Sequence, residues 1–161
     1  MGLLSRMSEV ANGILIGLAG ILLVATVFLT CANIFLRVVW VPIDGTFELV
    51  GFFGAVVTAF ALGYTHMRKG HIAIDILTMQ YSARFQKLIF GLNGLICALF
   101  FTVCGWRIGV WAGTIRAEGE VTETLRIIFH PFIYCVAFGC FILAFILFID
   151  FLGIFFRKKG I

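Results

Sequence analysis

The sequence is poor in charge. Only 12% of its residues are Asp, Glu, Lys or Arg, while 62% are hydrophobic, against roughly 45–50% apolar residues in soluble domains. Mean hydropathy is +1.13. Such a chain has too little polar surface to cover itself in water, which argues against a soluble domain. Residues 10–36, 49–65, 88–106 and 127–149 contain no Asp, Glu, Lys or Arg at all. A soluble helical bundle would interrupt such runs with a polar face. A membrane span needs about 20 apolar residues, so the sequence predicts an all-α integral membrane protein with four transmembrane helices, over about 11–36, 47–67, 86–110 and 131–154. The length suggests one four-helix membrane domain.

Other absences narrow the function. No acid falls in the middle of a predicted span: Glu48 opens the second, Asp150 lies near the end of the fourth, and Asp75 is in a connection. An ion- or proton-coupled carrier hides an ionisable group at the bilayer midplane, so an independent small transporter is disfavoured. No CxxC and no Cys/His cluster is present, and no metal or other cofactor is predicted. Cys31, Cys97, Cys104, Cys135 and Cys140 read as small hydrophobes. A haem needs two histidines on facing helices, but His66 and His130 fall at opposite ends of their spans, about 30 Å apart. No nucleophile–base pair suggests an enzyme, and no soluble basic face suggests nucleic-acid binding. The apolar run from Val10 is longer than the 7–15 residues of a signal-peptide core, and in Leu29-Thr30-Cys31 the leucine is one place too close to the cysteine for a lipoprotein box. No cleavable leader is expected.

The charge that is present is distributed unevenly. With the N-terminus inside, the inner side holds Arg6, Arg68, Lys69, Arg84, Lys87, Arg157, Lys158 and Lys159, and the outer side holds Arg37, Arg107, Arg116 and Arg126, eight against four. The positive-inside rule then puts both termini in the cytoplasm. Trp40, Trp106, Trp111 and Tyr134 mark the outer interface, and Tyr64 and Tyr81 the inner one. Phe141, Phe145, Phe148, Phe151, Phe155 and Phe156 crowd the last span and face lipid or another membrane protein. The Glu118, Glu120 and Glu123 group reads as a solvated loop. Pro131 suits a first helical turn.

Packing signals are plentiful. Gly51, Ala55, Ala59 and Gly63 form a stripe of small residues along span two. Gly105, Gly109 and Gly113 repeat it in span three, and Gly13 and Gly17 in span one. Small residues let helix backbones approach closely, inside one chain or against a partner helix. Gly70 stops span two, with Arg68 and Lys69 at the headgroups. His71, Ala73 and Asp75 then alternate with Ile72, Ile74 and Ile76. Read as helix, His71 and Asp75 are neighbours at i, i+4. The pattern predicts an interfacial segment over about 70–82, in contact with membrane lipids.

At these residues the chain resembles a known family. Asn33-x-x-x-Arg37 closing span one, Glu48 opening span two, R-K-G-H-I-A-I-D at 68–75 and T-L-R-I-I at 124–128 are similar to the small, Q-type (DctQ-like) membrane subunit of TRAP transporters, the tripartite ATP-independent periplasmic transporters. That family often carries two adjacent acids at the start of span two, and here Phe47 precedes Glu48. The resemblance implies a non-catalytic subunit in the bacterial inner membrane. It also implies a large elevator-type membrane subunit carrying the solute and sodium sites, a periplasmic solute-binding protein, and organic-acid solutes of the C4-dicarboxylate or sialic acid class. The competing reading is an anchor or assembly subunit of another membrane complex, such as a redox enzyme.

Overall fold

A computed structural model of the chain describes residues 2–67 and 83–156. The expected interfacial segment, with Arg68, Lys69, Gly70, His71 and Asp75, lies outside the described residues. Four helices carry nearly everything else: α1 (Gly2–Val39), α2 (Thr46–Met67), α3 (Ala83–Glu118) and α4 (His130–Phe156). All four are long and apolar enough to cross a membrane.

The helices outrun the apolar runs that predict them. At 1.5 Å per residue, the 38 residues of α1 reach about 57 Å and the 36 of α3 about 54 Å. A bilayer core is about 30 Å thick, so these two helices tilt or project from it. Arg107 and Arg116 do not end α3, because their long side chains can snorkel to the headgroups. The final turns of α3 also have something to pack on: Ala112 and Ile115 are buried against Ile133 at the start of α4. Gly119 ends the helix. It adopts φ +67, and Glu120 N–H then donates to the Ile115 carbonyl at 3.2 Å, the six-to-one bond of a Schellman stop.

The packing order is α1–α2–α4–α3. α1 lies on α2, α2 on α4, and α4 on α3, with a slight touch between α1 and α4. Among the described residues α3 packs substantially on α4 alone, so the four helices do not close into a symmetric bundle. Lipid tails are as apolar as leucine, so close fit rather than water exclusion holds such helices together. Leu15 and Ala19 of α1 meet Val56, Ala59 and Phe60 of α2. Ala98 of α3 meets Leu143 and Leu147 of α4. Phe52 stacks on Phe129 at 5.6 Å and on Phe132 at 5.3 Å, fastening the start of α2 to the start of α4.

The open order leaves much of each helix uncovered. In the most apolar window of α1 only 11% of residues are buried within the chain, against 39% in α4. Phe141, Phe145 and Phe148 of α4 are exposed, while Phe151 is half-buried and stacks on Phe148.

Candidate functional site

The two ends of the helix array differ. One end, here the connection end, holds the α1–α2 and α3–α4 loops. The other holds the last turns of α2 and α4.

At the connection end three segments are tied to one another. The α1–α2 turn is closed from α1, where Asn33 Oδ1 accepts the Ile43 N–H at 2.9 Å. That bond gives Asn33 a local role in the motif. The Thr46 hydroxyl donates to the Ile43 carbonyl at 2.7 Å. Gly45 caps α2, its carbonyl accepting the Leu49 N–H at 3.2 Å. Its φ is +70, and the Leu125 side chain occupies the place a Cβ would need.

Glu48 stands three residues into α2. From that position a glutamate often reaches back to its own helix cap, but here it reaches across to the α3–α4 loop. Its two carboxylate oxygens accept the N–H groups of Thr124 at 2.8 Å and Leu125 at 3.3 Å. A negative charge there also suits the positive end of the α2 dipole. The loop is braced from within. Thr122 N–H donates to the Ile127 carbonyl at 3.0 Å, and Ile127 N–H donates to the Thr122 hydroxyl at 3.2 Å. Val121 and Ile128 form one antiparallel bridge. Arg126 takes φ +51, a conformation uncommon for a residue with a Cβ. Phe47, the residue before Glu48, is 80% exposed. One carboxylate serves both loop amides.

At the other end His66 Nε2 lies 3.0 Å from Asp150 Oδ2, joining the last turn of α2 to the last third of α4. Asn12, on α1, is 2% exposed. Its Nδ2 donates to Met67 Sδ at 3.1 Å, while Oδ1 is buried and has no hydrogen-bond partner among the described residues. These three residues, Asn12, His66 and Asp150, were not singled out as a group by the sequence. Asn12 carries a usable signal, a lone amide near the start of a charge-free run. The His66–Asp150 pair carries none, since 84 positions separate the two.

The small-residue stripes divide. In α2, Ala59 and Gly63 are buried, while Gly51 and Ala55 are exposed. Gly139 of α4 sits against the Ala59 backbone, so close that a Cβ would lie 2.9 Å from its atoms. In α3, Gly105 packs on the Ala137 carbonyl and the Phe141 ring, Gly113 faces the Tyr134 hydroxyl, and Gly109 opens onto empty space. Gly13 and Gly17 also face open space. Arg37 is exposed at the last turn of α1. Among the described residues no cluster of His, Cys, Asp or Glu is arranged to hold a metal ion. His66 ends α2 and His130 begins α4, at opposite ends of the array.

The arrangement provides clasps and uncovered apolar faces. The sequence matches the family of tripartite ATP-independent periplasmic transporters, DctQ component, over residues 26–157. The chain belongs to this family. No individual curated protein and no solved structure matches it. As a DctQ component it is a small membrane subunit of a TRAP transporter, a multi-pass protein of the bacterial inner membrane. The family is one of transporter components, and membership implies partnership with a large membrane subunit and a periplasmic binding protein. The matched region takes in both the Asn33 turn and the Glu48 clasp.

Proposed function

We propose that this DctQ component is a non-catalytic scaffold, a single membrane domain that braces the large, elevator-type subunit of a sodium-coupled transporter for organic acids of the C4-dicarboxylate or sialic acid class. The observation that carries the reading is the open packing order. A helix array in which α3 rests on α4 alone, and whose ends are fastened by the Glu48 and His66–Asp150 contacts, presents wide, stiff apolar faces to another membrane protein. An element that moves solute across the bilayer needs such a fixed wall to slide against. In this reading the solute and sodium sites lie in the partner, and both termini are cytoplasmic. The stretch containing Arg68, Lys69, Gly70, His71 and Asp75 serves docking.

The test is reconstitution. Liposomes containing this chain alone, given a sodium gradient and candidate organic acids, show no saturable uptake. Liposomes containing it with the large subunit, supplied with binding protein, do. Sodium-dependent uptake by the chain alone overturns the reading. Asp75→Ala and His71→Ala reduce recovery of the complex, with uptake falling in proportion. Normal recovery with lost turnover puts that stretch in the transport cycle instead. In a version lacking native cysteines, an impermeant thiol reagent added outside labels Glu118→Cys and not Lys158→Cys, and the reverse overturns the topology.

A further inference from the structure

We propose that the seam between α3 and α4 is a binding site for one resident phospholipid, whose acyl chain lies in the seam and whose phosphate sits at its connection end. Two open hollows run along this seam. One, of about 490 Å³, is lined by Gly105, Trp106, Gly109, Tyr134, Phe138 and Phe141, among others. The second, of about 380 Å³, is lined by Leu95, Leu99, Thr102, Phe141, Phe145 and Phe148, among others. Phe141 lines both, so the hollows adjoin and form one groove.

The groove has a polar end and an apolar end. Along α4 it runs from Tyr134 to Phe148, about 21 Å at 1.5 Å per residue, which exceeds the roughly 15 Å of hydrocarbon in one leaflet. Toward Phe148 its lining is aliphatic and aromatic apart from Thr102, whose hydroxyl donates to the Ala98 carbonyl of its own helix at 2.7 Å. Its mouth lies in the first turns of α4, where the Tyr134 ring is held edge-on by His130 at 6.1 Å. Among the described residues the Tyr134 hydroxyl has no hydrogen-bond partner. Gly113 lets that hydroxyl lie close over α3. Arg116 stands seven residues beyond Gly109, two helical turns along the same face. It is exposed and has no acidic partner among the described residues. A cation and a hydroxyl at headgroup level, above a groove that is otherwise apolar, match a phosphate on an acyl chain. A partner transmembrane helix would lay an apolar flank along the groove and needs no anion site at its mouth, whereas a phospholipid brings an acyl chain and an anion together.

Trp106 lines the groove and Trp111 does not, so the chain carries its own reporters. Two single-tryptophan versions of the full chain, one keeping Trp106 and one keeping Trp111, are reconstituted in phosphatidylcholine vesicles. A minor fraction of phosphatidylglycerol with brominated acyl chains is the quencher. The expected result is excess quenching of Trp106, with Trp111 following the bulk lipid. Gly109→Phe fills the groove, since nothing lies within 4 Å of a Cβ there, and it brings Trp106 to the Trp111 level. Arg116→Gln lowers the preference for the anionic lipid about fivefold, the effect of one basic residue near anionic headgroups. Equal quenching of the two tryptophans in the parent chain, or excess quenching that survives Gly109→Phe, overturns the proposal. So does a result in which no excess is seen and Gly109→Phe instead abolishes copurification with the large subunit. That outcome makes the groove a seat for a partner helix.

Discussion

Glu48 and Thr124 stand 76 positions apart in the chain and are joined by a 2.8 Å hydrogen bond, the Thr124 N–H donating to a carboxylate oxygen. The bond carries the start of α2 onto the loop that precedes α4. With Leu125 on the other oxygen, one side chain fixes a loop whose own sequence, T-E-T-L-R, has little apolar content to anchor it. The stacked Phe52, Phe129 and Phe132 rings lie on the membrane side of the same junction. The clasp and the ring stack therefore act together to hold α2 and α4 in one relation.

Removing the carboxylate frees the loop. In Glu48→Ala the amides of Thr124 and Leu125 lose their acceptors and exchange with deuterium faster than in the parent, while amides in the centre of α4 do not change. Glu48→Gln falls between, since it keeps one oxygen acceptor but loses the charge, and charge-assisted hydrogen bonds are about twice as strong as neutral ones. Hydrogen exchange on the detergent-solubilised chain reads this directly. Unchanged exchange at both amides in Glu48→Ala would show that the loop holds itself.

Gly45 and Leu125 are coupled by space. Gly45→Ala asks a residue with a Cβ to adopt φ +70 and to share the position of the Leu125 side chain. The conformation alone costs about 1–2 kcal/mol, and overpacking adds about 1–3 kcal/mol. The unfolding midpoint in mixed detergent falls accordingly. Adding Leu125→Ala restores the steric part and leaves the conformational part, so the double variant is more stable than the sum of the singles. Strict additivity refutes the contact.

What the sequence makes legible follows from what sets each feature. The four helices are readable because each requires only a local run of apolar residues and a bilayer to satisfy. The extension of α3 to Glu118 is less so, because it depends on Ala112 and Ile115 finding Ile133, a contact between distant segments. Gly119 as the stop is readable only in retrospect, since most glycines in this chain lie inside helices. The small-residue stripe in α2 is plain in the sequence, but its division is not. Ala59 and Gly63 are buried while Gly51 and Ala55 are not, because a row of residues four apart drifts around the helix by about 40° per step and only its second half reaches the face that α1 and α4 cover. Glu48 stands out as an acid at a span end. Its partners are backbone amides, which any residue would supply, so the bond leaves no trace in their side chains.

The division of the α2 stripe predicts opposite signs for similar substitutions. Gly139→Ala forces a Cβ to within 2.9 Å of the Ala59 backbone, which cannot yield without separating α2 from α4, and overpacking of this kind costs about 1–3 kcal/mol. Gly51→Ala meets nothing within 4 Å and removes a flexible residue from a helix interior, a gain of about 0.5–1 kcal/mol. The first variant unfolds at lower denaturant than the parent, and the second at equal or higher. If Gly51→Ala instead weakens recovery of the complex while stabilising the isolated chain, the open half of the stripe is in contact with the large subunit.

Asn12 and Gly63 make the sharpest test of how α1 is seated. Asn12 is one of the few polar side chains buried among the described residues, and its Oδ1 has no hydrogen-bond donor among them. A buried amide oxygen in that state is costly, at about 1–3 kcal/mol, unless the site is arranged around it. Gly63 supplies the arrangement. A Cβ there would come within 2.8 Å of Oδ1 and 3.2 Å of Ile146 Cδ1, so the amide fits only because the glycine has none. Gly63→Ala is expected to destabilise the chain by about 1–3 kcal/mol. In an Asn12→Ala background most of that penalty disappears, and the remainder reflects Ile146. The coupling between the two positions then lies in the range of about 0.5–3 kcal/mol seen for residues in direct contact. Unfolding of the parent, both singles and the double in one detergent series measures it. A coupling near zero would mean that α1 is not seated on α2 through this pair, and that the Leu15 and Ala19 contacts with Val56, Ala59 and Phe60 position it alone.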